Sequence, residues 1–178
     1  TGDVVVLNNV LSGLVLSQIE STAISLFVSM LVLVLLTRRL GQSLVVILPV
    51  GLAGAWVVGA MAMLGINWNV LTIMITALTI GLGIDYSIHV WRRIEANRGS
   101  GMGTWEAMRN MYSTTGAALL LSSGTTICGF MVLLLSPIPV IQDFGIVSSI
   151  SVLFSLVMAL LVLPGLLAAE FRTSSDYA

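Results

Sequence analysis

The sequence has no lysine, one cysteine and one histidine, and only 8% of its 178 residues are charged. Each shortage excludes something. With one thiol, Cys128, neither an intrachain disulfide nor a cysteine metal centre can form, and its apolar setting reads as a small residue packed between neighbours. The isolated His89 has no companion ligands, so no metal site is expected. No nucleophile sits beside a paired base and no glycine loop of the phosphate-cradling kind occurs. The sequence therefore does not read as an enzyme, implies no cofactor and sets ATP hydrolysis aside. A net charge of -1 without a basic patch leaves no footprint for nucleic acid.

What is present is hydrocarbon. The chain is 57% hydrophobic with a mean hydropathy of +1.07. That is a membrane composition and predicts an all-α, polytopic helix bundle. A bilayer core is roughly 30 Å thick. Five stretches are long and apolar enough to cross it, near residues 19–36, 44–64, 70–91, 116–135 and 144–163. Arg38-Arg39-Leu40-Gly41 stops the first, residues 65–69 turn after the second, Pro137 and Pro139 precede the fifth, and Pro164-Gly165 ends it. Residues 99–112 begin with a glycine-rich turn and continue as a short amphipathic piece with Trp105, Met108, Met111 and Tyr112, which predicts a helix lying at the interface. Residues 4–16 read either as a helical extension of the first span or as a strand-like approach to it. The expected organisation is a lead-in over 1–18, a five-helix transmembrane domain over 19–167 and a tail over 168–178.

Arginine placement sets the expected orientation. Arg38, Arg39, Arg92, Arg93, Arg98, Arg109 and Arg172 all fall on one side when five spans alternate, and the loops at 65–69 and 136–143 carry none. Short cytoplasmic loops retain basic residues, so that side is expected to face the cytoplasm of the cell (inner) membrane, with Thr1 outside and Ala178 inside. The chain opens on Thr1 without a signal-peptide pattern. An odd number of spans with an external amino end asks for a further helix upstream, with an external domain after it. The short tail from Glu170 points to the carboxy-terminal half of a longer protein.

The apolar pattern breaks at Leu78–Arg93, LTIGLGIDYSIHVWRR. Between Val70 and Val90 the ionisable side chains are Asp85, Tyr86 and His89. A charge at that depth costs about 2.5–3.5 kcal/mol on insertion scales, and acids retained there face a bundle interior and mark pathways. Asp85 and His89, four apart, share one helix face with Gly81, while Gly83 and Tyr86 flank it. Two glycines beside an acid let another helix come close. A carboxyl inside the membrane is charged or neutral according to what faces it, which is the property a proton carrier needs. Plainer readings stand beside this one. Asp85 can be a structural acid satisfied by hydroxyls and Tyr86 a packing residue, and His89 either meets headgroups or gives protons access from the cytoplasm. Ser122, Ser123, Thr125 and Thr126 can bond their own helix, and Gly51, Gly54 and Gly59, with Ala53, Ala55 and Ala60, read as close-packing positions.

Three segments carry a likeness: GLGIDYSIHVWRRIE at Gly81–Glu95, TTICGFMVLLLSPIPVIQDFG at Thr125–Gly145, and LVLPGLL at Leu161–Leu167. Together they resemble the membrane half of an exporter of the resistance-nodulation-division superfamily. The nearest likeness is to its MMPL-like and hopanoid-exporter-like branch, related to Patched and sterol-sensing-domain proteins. The resemblance implies two halves, each of six helices with a large external domain between the first and second, so the five spans here are the second to sixth of one half. It implies proton-driven export, with the relay acid at Asp85, its tyrosine at Tyr86 and supporting hydroxyls at Ser122, Ser123, Thr125 and Thr126. The drug-efflux branch pairs its acids with an intramembrane lysine, which this chain lacks, so the likeness favours an Asp-Tyr relay and a lipid-like or other hydrophobic cargo. Protons, membrane lipid, and a second half in the same chain or a second copy are the implied partners. Two alternatives remain: a sterol- or lipid-sensing module that does not transport, and a protein-translocation accessory, whose third-span motifs differ from GIDYSIH.

Overall fold

The computed structural model describes residues 2–38, 40–66 and 69–175; Thr1, Arg39, residues 67–68 of the second turn and the tail end 176–178 lie outside the described residues. Helices account for nearly all of the described residues, and no strand occurs among them. The first, α1 (Gly2–Thr37), runs unbroken, so of the two forms left open for residues 4–16 the helix is the one adopted. It ends with the Thr37 hydroxyl on the Leu33 carbonyl at 2.9 Å and a Thr37–Ser43 hydroxyl pair at 2.6 Å, and Arg38 takes a positive φ of 54° to reverse the chain. Next, α2 (Leu40–Leu64) stops at Gly65, whose φ of 68° suits glycine and brings the Ile66 N–H back to the Met61 carbonyl at 3.1 Å. A reciprocal capping box opens α3 (Val70–Gly99). Thr72 N–H donates to Asn69 Oδ1 at 2.9 Å and Asn69 N–H to Thr72 Oγ1 at 2.8 Å.

The short α4 (Thr104–Met111) buries Ala107, Met108 and Met111 and exposes Trp105, the one-sidedness of an interfacial helix. It continues through a π-helical turn, Tyr112–Gly116, into α5 (Ala117–Met131), which tightens into a 3₁₀ turn at Val132–Leu135. After a short loop, Pro139 starts α6 (Pro139–Val157), where a missing N–H costs nothing. A second π-helical turn, Met158–Val162, leads into α7 (Leu163–Ser175). These segments form five rods long and apolar enough to cross a membrane: Leu16–Thr37, Leu40–Leu64, Met74–Gly99, Thr104–Leu135 and Pro139–Glu170. The all-α five-span bundle read from composition is the architecture found.

The rods are not equivalent. In the most apolar stretch of each rod, 56% of the α3 residues and 61% of the α6 residues are buried, against 6% in α1 and 11% in the rod that α4 and α5 share, so α3 and α6 form the centre. Here α3 packs against α2, α6 and α1, while α5 packs mainly on α6. The core joins Val46 and Val50 of α2, Ile80, Tyr86 and Val90 of α3, and Val152 and Leu156 of α6. Cys128 is not part of it: contrary to the reading of a packed thiol, it is exposed, because α5 turns most of its surface away from the bundle.

Hydroxyls stitch the central pair. Thr79 Oγ1 donates to the Ile75 carbonyl at 2.7 Å, which leaves the Ser151 hydroxyl to donate to Thr79 Oγ1, and Ser155 Oγ donates to the Thr79 carbonyl at 3.3 Å. In lipid, small residues let backbones approach and cross-helix hydrogen bonds add about 0.6 kcal/mol each on average. A double-mutant cycle on Thr79→Val and Ser151→Ala should therefore show coupling of about that size in denaturant unfolding of the purified protein. Strict additivity would show that the seam holds by shape alone.

The α5–α6 hairpin is closed more tightly still. The Gln142 amide donates to the Ser136 carbonyl at 2.8 Å, and Phe130 and Phe144 meet edge to face with ring centres 6.1 Å apart. Beside them, a Cβ on Gly145 would lie 2.7 Å from the Phe130 carbonyl oxygen and 3.0 Å from Leu133 Cβ.

Candidate functional site

The Leu78–Arg93 stretch lies within α3, and its residues divide between two faces. Ile80, Gly83, Ile84, Tyr86, Ser87 and Val90 are buried, while Gly81, Asp85 and His89 are exposed. Gly83 is the close approach: a Cβ there would meet Val50 Cγ1 at 3.2 Å and Ser155 Oγ at 3.5 Å, so glycine lets α2 and α6 seat on α3. Gly81 meets nothing within 4 Å, so no helix among the described residues makes the close approach expected there. Asp85, on the same open stripe, makes no hydrogen bond and no ion pair among the described residues. Tyr86 adjoins it in sequence and its ring belongs to the core.

Among the hydroxyls read as partners, Ser122 joins His89, and the two line one cleft between α3 and the start of α5 together with Arg93, Thr114, Thr115 and Leu119. The others turn to their own helix: Ser123 Oγ donates to the Leu120 carbonyl at 3.1 Å, Thr125 Oγ1 to the Ser122 carbonyl at 2.8 Å and Thr126 Oγ1 to the same carbonyl at 3.0 Å. The hydroxyls that do reach α3 come from α6, as Ser151 and Ser155. The row itself was readable, since Ser148, Ser151 and Ser155 recur at helical spacing in one apolar span and Thr72, Thr76 and Thr79 in another. Among the described residues no group of His, Cys, Asp and Glu is placed to hold a metal ion.

A second feature was not legible. A cavity of about 560 Å³ opens between α1, α2 and α3, lined largely by apolar residues including Ile19, Leu26, Val58 and Ile80. Gly51 and Gly54 form its floor. A Cβ on Gly51, Gly54 or Gly59 would meet nothing within 4 Å, which corrects the close-packing reading for the three glycines, while Ala53 beside them is fully buried. Two polar groups enter the cavity unsatisfied. Gln18 is buried and its amide N–H donates to Thr22 Oγ1 at 3.1 Å, but Gln18 Oε1 and Thr76 Oγ1 are covered and have no hydrogen-bond partner. Buried polar atoms of that kind normally find partners.

Several known proteins are similar to this chain in sequence. MJ1562 of Methanocaldococcus jannaschii is 35% identical over 88% of this chain and 40% of its own length. MmpL4 of Mycobacterium leprae, named as a probable transport protein, is 28% identical over 88% of this chain and 17% of its own. Protein patched homolog 1 of Danio rerio is 27% identical over 71% of this chain and 11% of its own. The chain thus spans two fifths or less of the length of these relatives. The sequence model described as the MMPL family matches residues 5–173, nearly the whole of a five-span membrane bundle with an acid on its open face, and the chain belongs to that family.

Proposed function

We propose that this bundle is the transmembrane part of a proton-motive-force-driven exporter of lipids or other hydrophobic molecules, with Asp85 as the proton carrier. One observation carries the reading. Asp85 stands on the exposed stripe of a mostly buried central helix, without a partner among the described residues. Lipid is a poor neighbour for a carboxylate, so the stripe of Gly81, Asp85 and His89 is a surface for another helix or for water to complete. The completing element is the second half of the same chain or a second copy, and Gly81 leaves room for it. Of the supporting groups expected for the acid, Tyr86 adjoins it in the chain, whereas Ser123, Thr125 and Thr126 are engaged with their own helix. The arginine-bearing ends face the cytoplasm of the cell membrane, with the amino end outside. Ordinary ligand sites enclose about 300–1000 Å³. The apolar cavity between α1, α2 and α3 falls within that range, as a lipid-handling function requires.

The test is export by the full-length parent protein in inverted membrane vesicles under an imposed pH gradient. Export should collapse on adding a protonophore and should not be restored by a sodium gradient. Undiminished export without a proton gradient would exclude proton coupling. The same cavity favours a second reading, a lipid-sensing module without transport, because binding there needs no titration of Asp85.

A further inference from the structure

Arg93 is a cation that the fold positions but does not neutralise. It lies two turns beyond Asp85 on α3, roughly 12 Å along the helix axis. There it lines the α3–α5 cleft, which encloses about 460 Å³. One of its terminal N–H groups donates to Asn110 Oδ1 at 3.1 Å. That oxygen is itself fixed, since Asn97 Nδ2 donates to it at 3.2 Å and to the Ala107 carbonyl at 3.0 Å. The anchor is neutral. A guanidinium has five donors and keeps its charge. Yet Arg93 Nε is covered without an acceptor, and no carboxylate among the described residues pairs with the side chain. Holding a half-buried cation in place without a counter-charge is costly unless an anion meets it.

The surroundings fit a particular anion. The hydroxyls of Thr115 and Ser122 bond nothing among the described residues, and His89 stands at the rim with a further donor. Leu119 and Ala118 give the cleft an apolar wall, and α5 beside it is largely exposed to the surroundings of the bundle. A planar fork with hydroxyl donors around it is the arrangement that holds phosphate oxygens. We propose that this cleft binds a phosphate group, Arg93 supplying the charge and Thr115 and Ser122 the further hydrogen bonds. The phosphate belongs either to an anionic lipid headgroup, with the acyl chains along α5, or to a free phosphate ion. This inference goes beyond the exporter reading and does not depend on proton carriage by Asp85.

The experiment uses the full-length parent protein in nanodiscs of phosphatidylcholine, with or without phosphatidylglycerol, and counts retained lipid by native mass spectrometry. In parallel, inorganic phosphate is titrated into the phosphatidylcholine discs and followed by phosphorus NMR line broadening. Wild type should retain phosphatidylglycerol, and Arg93→Gln should lower the bound fraction about tenfold or more. Arg93→Lys should restore part of it, because the charge returns without the fork. Arg109→Gln, at an exposed arginine of α4, should leave it unchanged. Inorganic phosphate binding that Arg93→Gln abolishes would support the site with the soluble ion as its ligand. Equal loss with both glutamine variants, or loss with neither, overturns the proposal in favour of diffuse attraction to basic residues. Rescue of Arg93→Glu by reversing an acid on the second half overturns it too, since the partner is then a carboxylate. If Arg93→Gln does not fold, Ser122→Leu, which fills the cleft from an exposed position, replaces it and should lower retention likewise. Retention and export are separate readouts, so failure of this site leaves the proton-carrier reading standing, and the reverse.

Discussion

Replacing Asp85 with asparagine in the full-length parent is expected to abolish gradient-driven export while expression and membrane insertion stay at wild-type levels. Asparagine keeps the shape of aspartate, with an amide nitrogen in place of one oxygen, but cannot exchange a proton at any working pH. The position is exposed and bonds nothing among the described residues, so the substitution leaves no cavity and strands no partner within this bundle. Its insertion cost should if anything fall, because a neutral amide replaces a chargeable group in the span. The loss falls on coupling. A proton crossing the full membrane potential supplies about 2.3 kcal/mol per 100 mV, and without a carrier none of that biases one conformation over another. Asp85→Glu should keep a measurable part of the activity, since it restores a titratable group one methylene away. Full export by the asparagine variant, measured in vesicles at matched protein levels, would remove Asp85 from the mechanism and bring the lipid-sensing reading forward.

The largest effect on folding is expected at Gly145. An added methyl at 2.7 Å from the Phe130 carbonyl cannot be absorbed by a side-chain rotation, because the obstacle is backbone. Either α6 moves off the end of α5 or the 3₁₀ turn at Val132–Leu135 is displaced, and both disturb the Phe130–Phe144 contact. Overpacking of that kind costs about 1–3 kcal/mol. Gly145→Ala should lower the thermal midpoint of the purified protein by several degrees, and Gly145→Leu should prevent its accumulation. Gly165→Ala is the control: a Cβ there meets nothing within 4 Å, so its stability should match or exceed wild type. Equal effects at the two glycines would mean that the hairpin is looser than its geometry.

The periodicities that made these residues legible also explain what stayed hidden. Long apolar runs bounded by arginine, glycine and proline locate membrane helices directly, so the five rods were readable along with the one-sidedness of α4. Helical phase alone gathers Gly81, Asp85 and His89 on one stripe, and burial follows that stripe. Which helix lies opposite a given face is another matter. Chain order places α5 after α3, yet the hydroxyls that bond α3 come from α6, because the central pair is set by tertiary contacts between helices remote in sequence. The glycines of α2 misled for a related reason. Absence of a side chain permits either contact or space, and only the positions of α1 and α3 decide that Gly51 and Gly54 border a cavity. Cys128 looked like a core thiol by its neighbours' polarity, but in lipid the outside of a bundle is as apolar as its inside.

The two π-helical turns have a consequence for how this protein can change its length. Each turn carries one surplus residue relative to an α-helical path. The Tyr112 hydroxyl donates to the Leu160 carbonyl at 2.7 Å, so the surplus in one helix is pinned to the surplus in the other. Deleting one residue from either segment would remove the surplus and let the helix close as a continuous α-helix, with everything beyond it in unchanged phase. What either deletion would cost is the widened turn at which the Tyr112 hydroxyl meets the Leu160 carbonyl. A single deletion inside either turn should thus be better tolerated than one elsewhere in the same helix, which rotates all that follows by roughly 100°.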